Sequence, residues 1–142
     1  ELTIEGLNVG DGESKIEIPG WGGLTLDRAD VGDLTFIAGI EDGVAEIERA
    51  EAHGKDLEFD ALGRLGLSRP LKRSELNVMV RVKIQDAYKE RSSKVATMLE
   101  LASSGLEAAQ SADGAIQYMV AGPIGGRMRP RAAGRLPFEA PK

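Results

Sequence analysis

The sequence predicts a mainly β fold: a curved antiparallel meander sheet, partly open, with one helical segment near residues 86–110. Three observations carry this reading. Apolar and polar residues alternate over short runs, which is the period of a strand with one buried and one wet face. Turns containing glycine separate those runs, and the chain spends 18 of its 142 residues on Gly. A single stretch abandons the period of two for apolar steps of three and four.

Taken in order, Leu2-Thr3-Ile4-Glu5 alternates until residues 8–12 break the run with turn formers. Lys15-Ile16-Glu17-Ile18 alternates again and stops at Pro19-Gly20. After Trp21-Gly22-Gly23 come Leu24-Thr25-Leu26-Asp27, a turn over residues 30–33, and Leu34-Thr35-Phe36. Asp42-Gly43 stands between Phe36-Ile37 and the run 44–50, and an Asp-Gly pair between alternating runs is the strongest short-range hairpin signal. His53-Gly54-Lys55 closes that run before Leu57-Glu58-Phe59 opens the next. The clearest strand is 76–84, with Leu76, Val78, Val80, Val82 and Ile84 on one face and Asn77, Met79, Arg81 and Lys83 on the other. From Asp86 to about Gln110 the pattern is helical, with Val95, Leu99, Ala102, Leu106 and Ala109 on one side. Ser92 and Ser93 are candidate N-caps for a helix starting near Lys94, and Ser103-Ser104-Gly105 is a candidate break within it. Asp113-Gly114 returns the chain to a strand over residues 115–121. The expected organisation is a β-rich domain over residues 1–126 with an inserted helix, then a basic, irregular or extended tail over 127–142 that holds Pro130, Pro137 and Pro141.

Composition narrows the chemistry. A chain of 142 residues makes about one domain and can bury a core without a staple. With no Cys there is no disulfide framework, thiolate metal site or cysteine nucleophile, and the single His53 excludes any multi-His metal site. Six aromatic residues predict a thin core. A net charge of −5 argues against nucleic acid as a partner. The chain opens on Glu1, with no signal peptide and no 18-residue apolar run, and so reads as a fragment or processed product.

The middle of the chain resembles a known family. Gly43-Val44-Ala45-Glu46-Ile47, Ala52-His53-Gly54-Lys55-Asp56-Leu57-Glu58, Gly63-Arg64-Leu65-Gly66-Leu67 and Pro70-Leu71-Lys72-Arg73-Ser74-Glu75-Leu76 read in turn as a strand, a G-K-D turn, a G-x-L-x-L strand and a P-L-x-x-S-x-L crossover. With the alternating Val strand and the later Asp113-Gly114 and Gly122-Pro123, this is similar to GspN, the N component of type II secretion systems, over roughly residues 33–125. AsmA-like envelope proteins share the texture. The resemblance implies a non-enzymatic periplasmic domain, tethered to the inner membrane by an N-terminal segment absent from this chain, whose partners are other secretion-system or envelope proteins. The AsmA-like side implies an apolar groove that shields lipid. A phage or virion structural protein is a third reading of the same sheet.

Residue by residue, the chemistry is sparse. His53 lies near Glu51 and Lys55, and one imidazole with unplaced carboxylates predicts no metal site. The Gly-rich runs 20–23 and 122–126 are not phosphate loops opening a helix. Ser92, Ser93, Ser103 and Ser104 lack a nucleophile elbow or a spaced Lys. Glu41, Asp42, Glu46, Glu48 and Glu51 lack the twelve-residue loop of an EF-hand and read as a solvated face. No catalytic residue and no cofactor follow. Trp21 is a candidate interface anchor or core filler. Two surfaces remain: a candidate apolar docking face at Leu76, Val78, Val80, Val82 and Ile84, and a candidate anionic-surface contact at Arg127, Arg129, Arg131 and Arg135. Residues 127–142 carry five cations and one carboxylate, a net +4 against −9 in the remainder. Meander edges are a further expected contact, because an unpaired strand can accept another.

Overall fold

The chain folds as an open, seven-stranded antiparallel sheet backed by two helices; the structure is a computed structural model that describes residues 1–18 and 22–142. Trp21 lies outside the described residues. The strands are β1 (Leu2–Val9), β2 (Lys15–Ile18), β3 (Gly22–Thr25), β4 (Ala29–Glu41), β5 (Val44–His53), β6 (Leu57–Gly66), β7 (Glu75–Ile84), β8 (Ile116–Pro123) and β9 (Arg129–Ala132). The sheet order is β1-β4-β5-β6-β7-β8-β9, with β2 and β3 forming a separate hairpin between β1 and β4. From β4 to β9 every strand pairs with its neighbour in sequence, the arrangement expected of successive hairpins.

Local chemistry sets these turns. Asp42 and Gly43 join β4 to β5 with φ of 49° and 76°, the pair of positive dihedrals that a two-residue hairpin matching strand twist requires. Both register shifts at the centre of the sheet put an extra residue on β5: Glu48 is left over between the Ile37–Arg49 and Ala38–Ile47 pairs, and Glu48 and Arg49 stand against Leu62 alone on β6, a bulge that bends the strand. Gly63 sits at the close approach of β6 to β7, where a Cβ would overlap the Asn77 carbonyl and the Val78 backbone.

The helical stretch is two helices, α1 (Asp86–Arg91) and α2 (Ser93–Leu106). The break falls at Ser92, and Ser103-Ser104-Gly105 stays within α2. Ser92 adopts an extended conformation (φ −112°, ψ 97°) and its hydroxyl accepts the Val95 amide, so a residue expected to cap the second helix also ends the first. Its own hydroxyl proton goes to Asp27 Oδ2 at 2.5 Å. The Tyr88 hydroxyl donates to the Asp27 carbonyl at 2.6 Å, so the segment before β4 anchors both helices. Ala29, Tyr88 and Val95 form the buried centre of this junction, with Val9, Leu26, Leu57, Ile84 and Leu99 around them.

Of the two expectations for the tail, irregular or extended, residues 129–132 take the extended one, which corrects the irregular reading there. Arg129–Ala132 pairs with β8, Tyr118 opposite Ala132 and Val120 opposite Pro130. Proline conceals the strand in the sequence, yet it fits at the margin. Ala133 N donates to Gln117 O, so by alternation Pro130 faces away from β8 and loses no ladder bond. Beyond β9 the chain folds back over the polar face. Gln117 Nε2 donates to the Ala133 and Leu136 carbonyls at 3.0 and 2.8 Å, and Arg64 reaches the Pro141 carbonyl at 3.4 Å. Ala133 and Pro141 are buried, as are Met79 and Gln117 beneath them.

Candidate apolar docking face and groove

Antiparallel pairing keeps opposed side chains on one side of a sheet, so the register defines each face. Leu2 and Ile4 of β1 oppose Phe36 and Leu34 of β4, which oppose Ala50 and Ala52 of β5. These lead through Ala61 and Phe59 of β6 to Val80 and Val82 of β7, then to Tyr118 and Ile116 of β8. One face is therefore apolar across the whole sheet. The helices roof only one end of it, where Val9 of β1, Ala29 of β4, Leu57 of β6, Ile84 of β7 and Ile116 of β8 lie.

Between roof and sheet lies an open apolar groove of about 440 Å³, a volume within the range of small-molecule sites. Val80, Val82, Ile84 and Leu57 form its floor, Val95, Met98 and Leu99 of α2 its roof, and Met128 and Pro130 its far side. Tyr88 and Tyr118 also line it, and burial pushes both phenols above their ordinary range. Among the described residues, no charged side chain enters the lining. An apolar site of this kind rewards hydrocarbon and penalises an unpaired polar group.

The expected docking stripe is thus on one face, with its members in different settings. Val80, Val82 and Ile84 floor the groove, Val78 is buried, and Leu76 stands toward the unroofed end, paired with Leu65 and Gly122. The four arginines do not converge. Arg129 and Arg131 project from β9 to the opposite face, Arg131 lying 3.8 Å from Met119 Sδ. Arg127 is in the β8–β9 turn, and Arg135 is exposed on the tail.

The polar face carries the ionisable groups. Glu51 opposes Asp60 and His53 opposes Glu58 across β5 and β6. His53 Nε2 lies 3.0 Å from Asp60 Oδ1, and that hydrogen bond raises the imidazole pKa above its usual value. Arg81 sits 3.7 Å from Asp60 Oδ2 and pairs with Asp113 as well. The Ser111 hydroxyl, with help from the Ala115 amide and Arg81, holds Asp113 down to about 2. Glu51, His53 and Asp60 are close enough to share a cation, yet Arg81 and Arg49 already engage the two carboxylates. At the helix junction Asp56 is buried, accepting the Asp30 amide at 2.7 Å and Arg91 at 2.8 Å, and the guanidinium lowers its pKa. Ser92 donates to Asp27 while it accepts the Val95 amide, so its hydroxyl caps α2 and clamps it to the segment before β4.

Sequence reasoning missed Gln117, Asp27 and Asp56, because each matters through a partner 16 to 65 residues away. Compared with protein-family models, curated proteins and solved structures, the chain has no match.

Proposed function

We propose that this chain is a non-enzymatic docking domain that works by covering its apolar face, and that it serves as a GspN-like periplasmic component of a type II secretion apparatus, held at the inner membrane by a segment outside it. The observation that carries the docking reading is the mismatch between a seven-stranded apolar face and a roof of two short helices. Exposed apolar area of that kind is a protein or membrane contact by default. The secretion assignment is supported by the resemblance over residues 33–125. Separation of the groove from the ionisable groups supports a binding role over catalysis. The direct test deletes residues 33–125 in a host that retains the anchor; export should fail, and undiminished secretion overturns the proposal.

The groove favours a second reading, a lipid-shielding domain of the AsmA-like kind, since its lining is hydrocarbon apart from two phenols, of which Tyr88 already donates to the Asp27 carbonyl. Phospholipid that copurifies and is identified by mass spectrometry supports this reading. A lipid-free preparation leaves protein docking.

A further inference from the structure

A different part of the molecule, one end of the sheet, points to a second contact. The topology brings the β4–β5 hairpin tip, the β6–β7 crossover (residues 67–74) and the end of β8 with the β8–β9 turn (residues 123–128) to that end. Backbone bonds tie the three together. Leu67 N donates to Gly43 O at 2.7 Å, Ile124 N to Ser74 O at 2.9 Å, and Gly125 N to Lys72 O at 2.9 Å. Gly125 lies so close to Lys72 that a side chain there would collide with the lysine stem, so the crossover and the turn pack as one surface.

That surface combines two properties seldom found together on a soluble loop. Leu71 is 64 % exposed, and Leu67 and Ile124 beside it are exposed as well, with Val44 and the 70 %-exposed Ile40 along the hairpin. Arg69, Lys72, Arg73 and Arg127 are exposed around them, and none is in an ion pair among the described residues. Residues 67–74 and 123–128 contain no carboxylate, in a chain whose net charge is −5. The acids at this end are Glu41 and Asp42 at the hairpin tip and Glu75 at the start of β7.

We propose that this end of the sheet docks on an anionic membrane surface, the four cations meeting lipid phosphates while Leu67, Leu71 and Ile124 enter the headgroup–acyl boundary. Apolar side chains on short loops, ringed by Lys and Arg, match the chemistry of an interface that is negative outside and greasy beneath. A nucleic acid would use the cations and leave the leucines in water. A folded acidic protein would need the same charge pattern and a flat apolar partner patch. The proposal concerns the end of the sheet and stands whether or not the apolar face docks a protein.

The test is vesicle flotation of the whole chain with phosphatidylcholine alone and with phosphatidylcholine containing phosphatidylglycerol. The chain should float with the anionic vesicles, remain behind with the neutral ones, and be released by salt. Neutralising Lys72 and Arg73 together (Lys72→Gln, Arg73→Gln) should weaken binding by about fivefold per cation, roughly 25-fold for the pair. Leu71→Ser with Ile124→Ser should also weaken it, while Arg129→Gln with Arg131→Gln, on the opposite face of β9, should leave it unchanged. Failure to float with anionic vesicles overturns the proposal. Equal loss in the β9 variant, or retention by the same cations of RNA or an acidic protein in place of vesicles, overturns it too.

Discussion

Replacing Ser92 by Ala removes two interactions at one buried point. The hydroxyl accepts the Val95 amide and donates to Asp27 Oδ2, and Ser92 itself is 1 % exposed. Loss of an N-cap side chain costs about 1 kcal/mol. The second bond is to a carboxylate, but Asp27 is 39 % exposed and water takes over part of the role, so it contributes about 0.5–1 kcal/mol. Together the loss is about 1.5–2 kcal/mol, which in a chain of this size lowers Tm by about 5–8 °C. The change also has a directional consequence, because Ser92 joins α1 to α2 and Asp27 holds that joint to the sheet. A loosened roof should expose the groove lined by Val95, Met98 and Leu99, raising the fluorescence of a hydrophobic dye before global unfolding. Differential scanning calorimetry and dye binding on Ser92→Ala and Ser92→Thr make the measurement. Threonine keeps the cap and should recover most of the stability. A Tm within 1 °C of the parent for Ser92→Ala, or identical behaviour of the two variants, refutes the clamp.

Two further outcomes follow from the polar face and the helix junction. His53 is the single imidazole, so its titration by NMR is unambiguous; its pKa should lie above 6.5 and fall in Asp60→Asn, the folded-state contribution being full below 6.5 and lost as pH rises through the raised value. A His53 pKa that ignores Asp60→Asn contradicts the pairing. Asp56 and Asp113 have depressed folded-state pKa values, so their contribution is complete above the ordinary 3.8 and disappears as pH falls through the folded values. Acid unfolding monitored by circular dichroism should therefore steepen below about pH 4, and Asp56→Asn should flatten that slope while lowering stability at pH 7.

Much of the sheet was legible because period and turn chemistry are local signals. The alternation of Leu76 through Ile84 specified β7 and its apolar face, and Asp42-Gly43 specified the hairpin whose dihedrals the structure shows. The capping role of Ser92 was legible for the same reason. What was hidden depended on tertiary placement. Gly105 is tolerated inside α2, where a Gly costs only about 1 kcal/mol relative to Ala. The two helices divide instead at Ser92, where Asp27 supplies a partner 65 residues away. β9 was hidden because Pro130 and its flanking arginines read as tail, and only a marginal strand accepts them. β1 pairs with β4 across the β2–β3 hairpin, a skip that no pattern of identities encodes. For the candidate site, the stripe on β7 was visible and the groove was not, since its volume is set by how far α2 stands from the sheet. The basic residues were seen as a string along the tail. Folding keeps Arg129 and Arg131 together on one face of β9, leaves Arg135 on the tail, and puts Arg127 in the turn that packs against Lys72 and Ser74 of the crossover.

The two outermost strands are both ill suited to extending the sheet. At β9, Pro130 removes an outward donor between two guanidinium groups. At β1, register shifts interrupt the ladder between Ile4 and Asn8, and Asp33 occupies the Gly6 amide at 2.8 Å. Each margin is blunted by its own device, so side-by-side zippering of copies into a fibre meets a missing rung on one flank and a kinked rail on the other. Both margins are therefore poor templates for a further strand, which leaves the greasy plane as the surface for the docking proposed above.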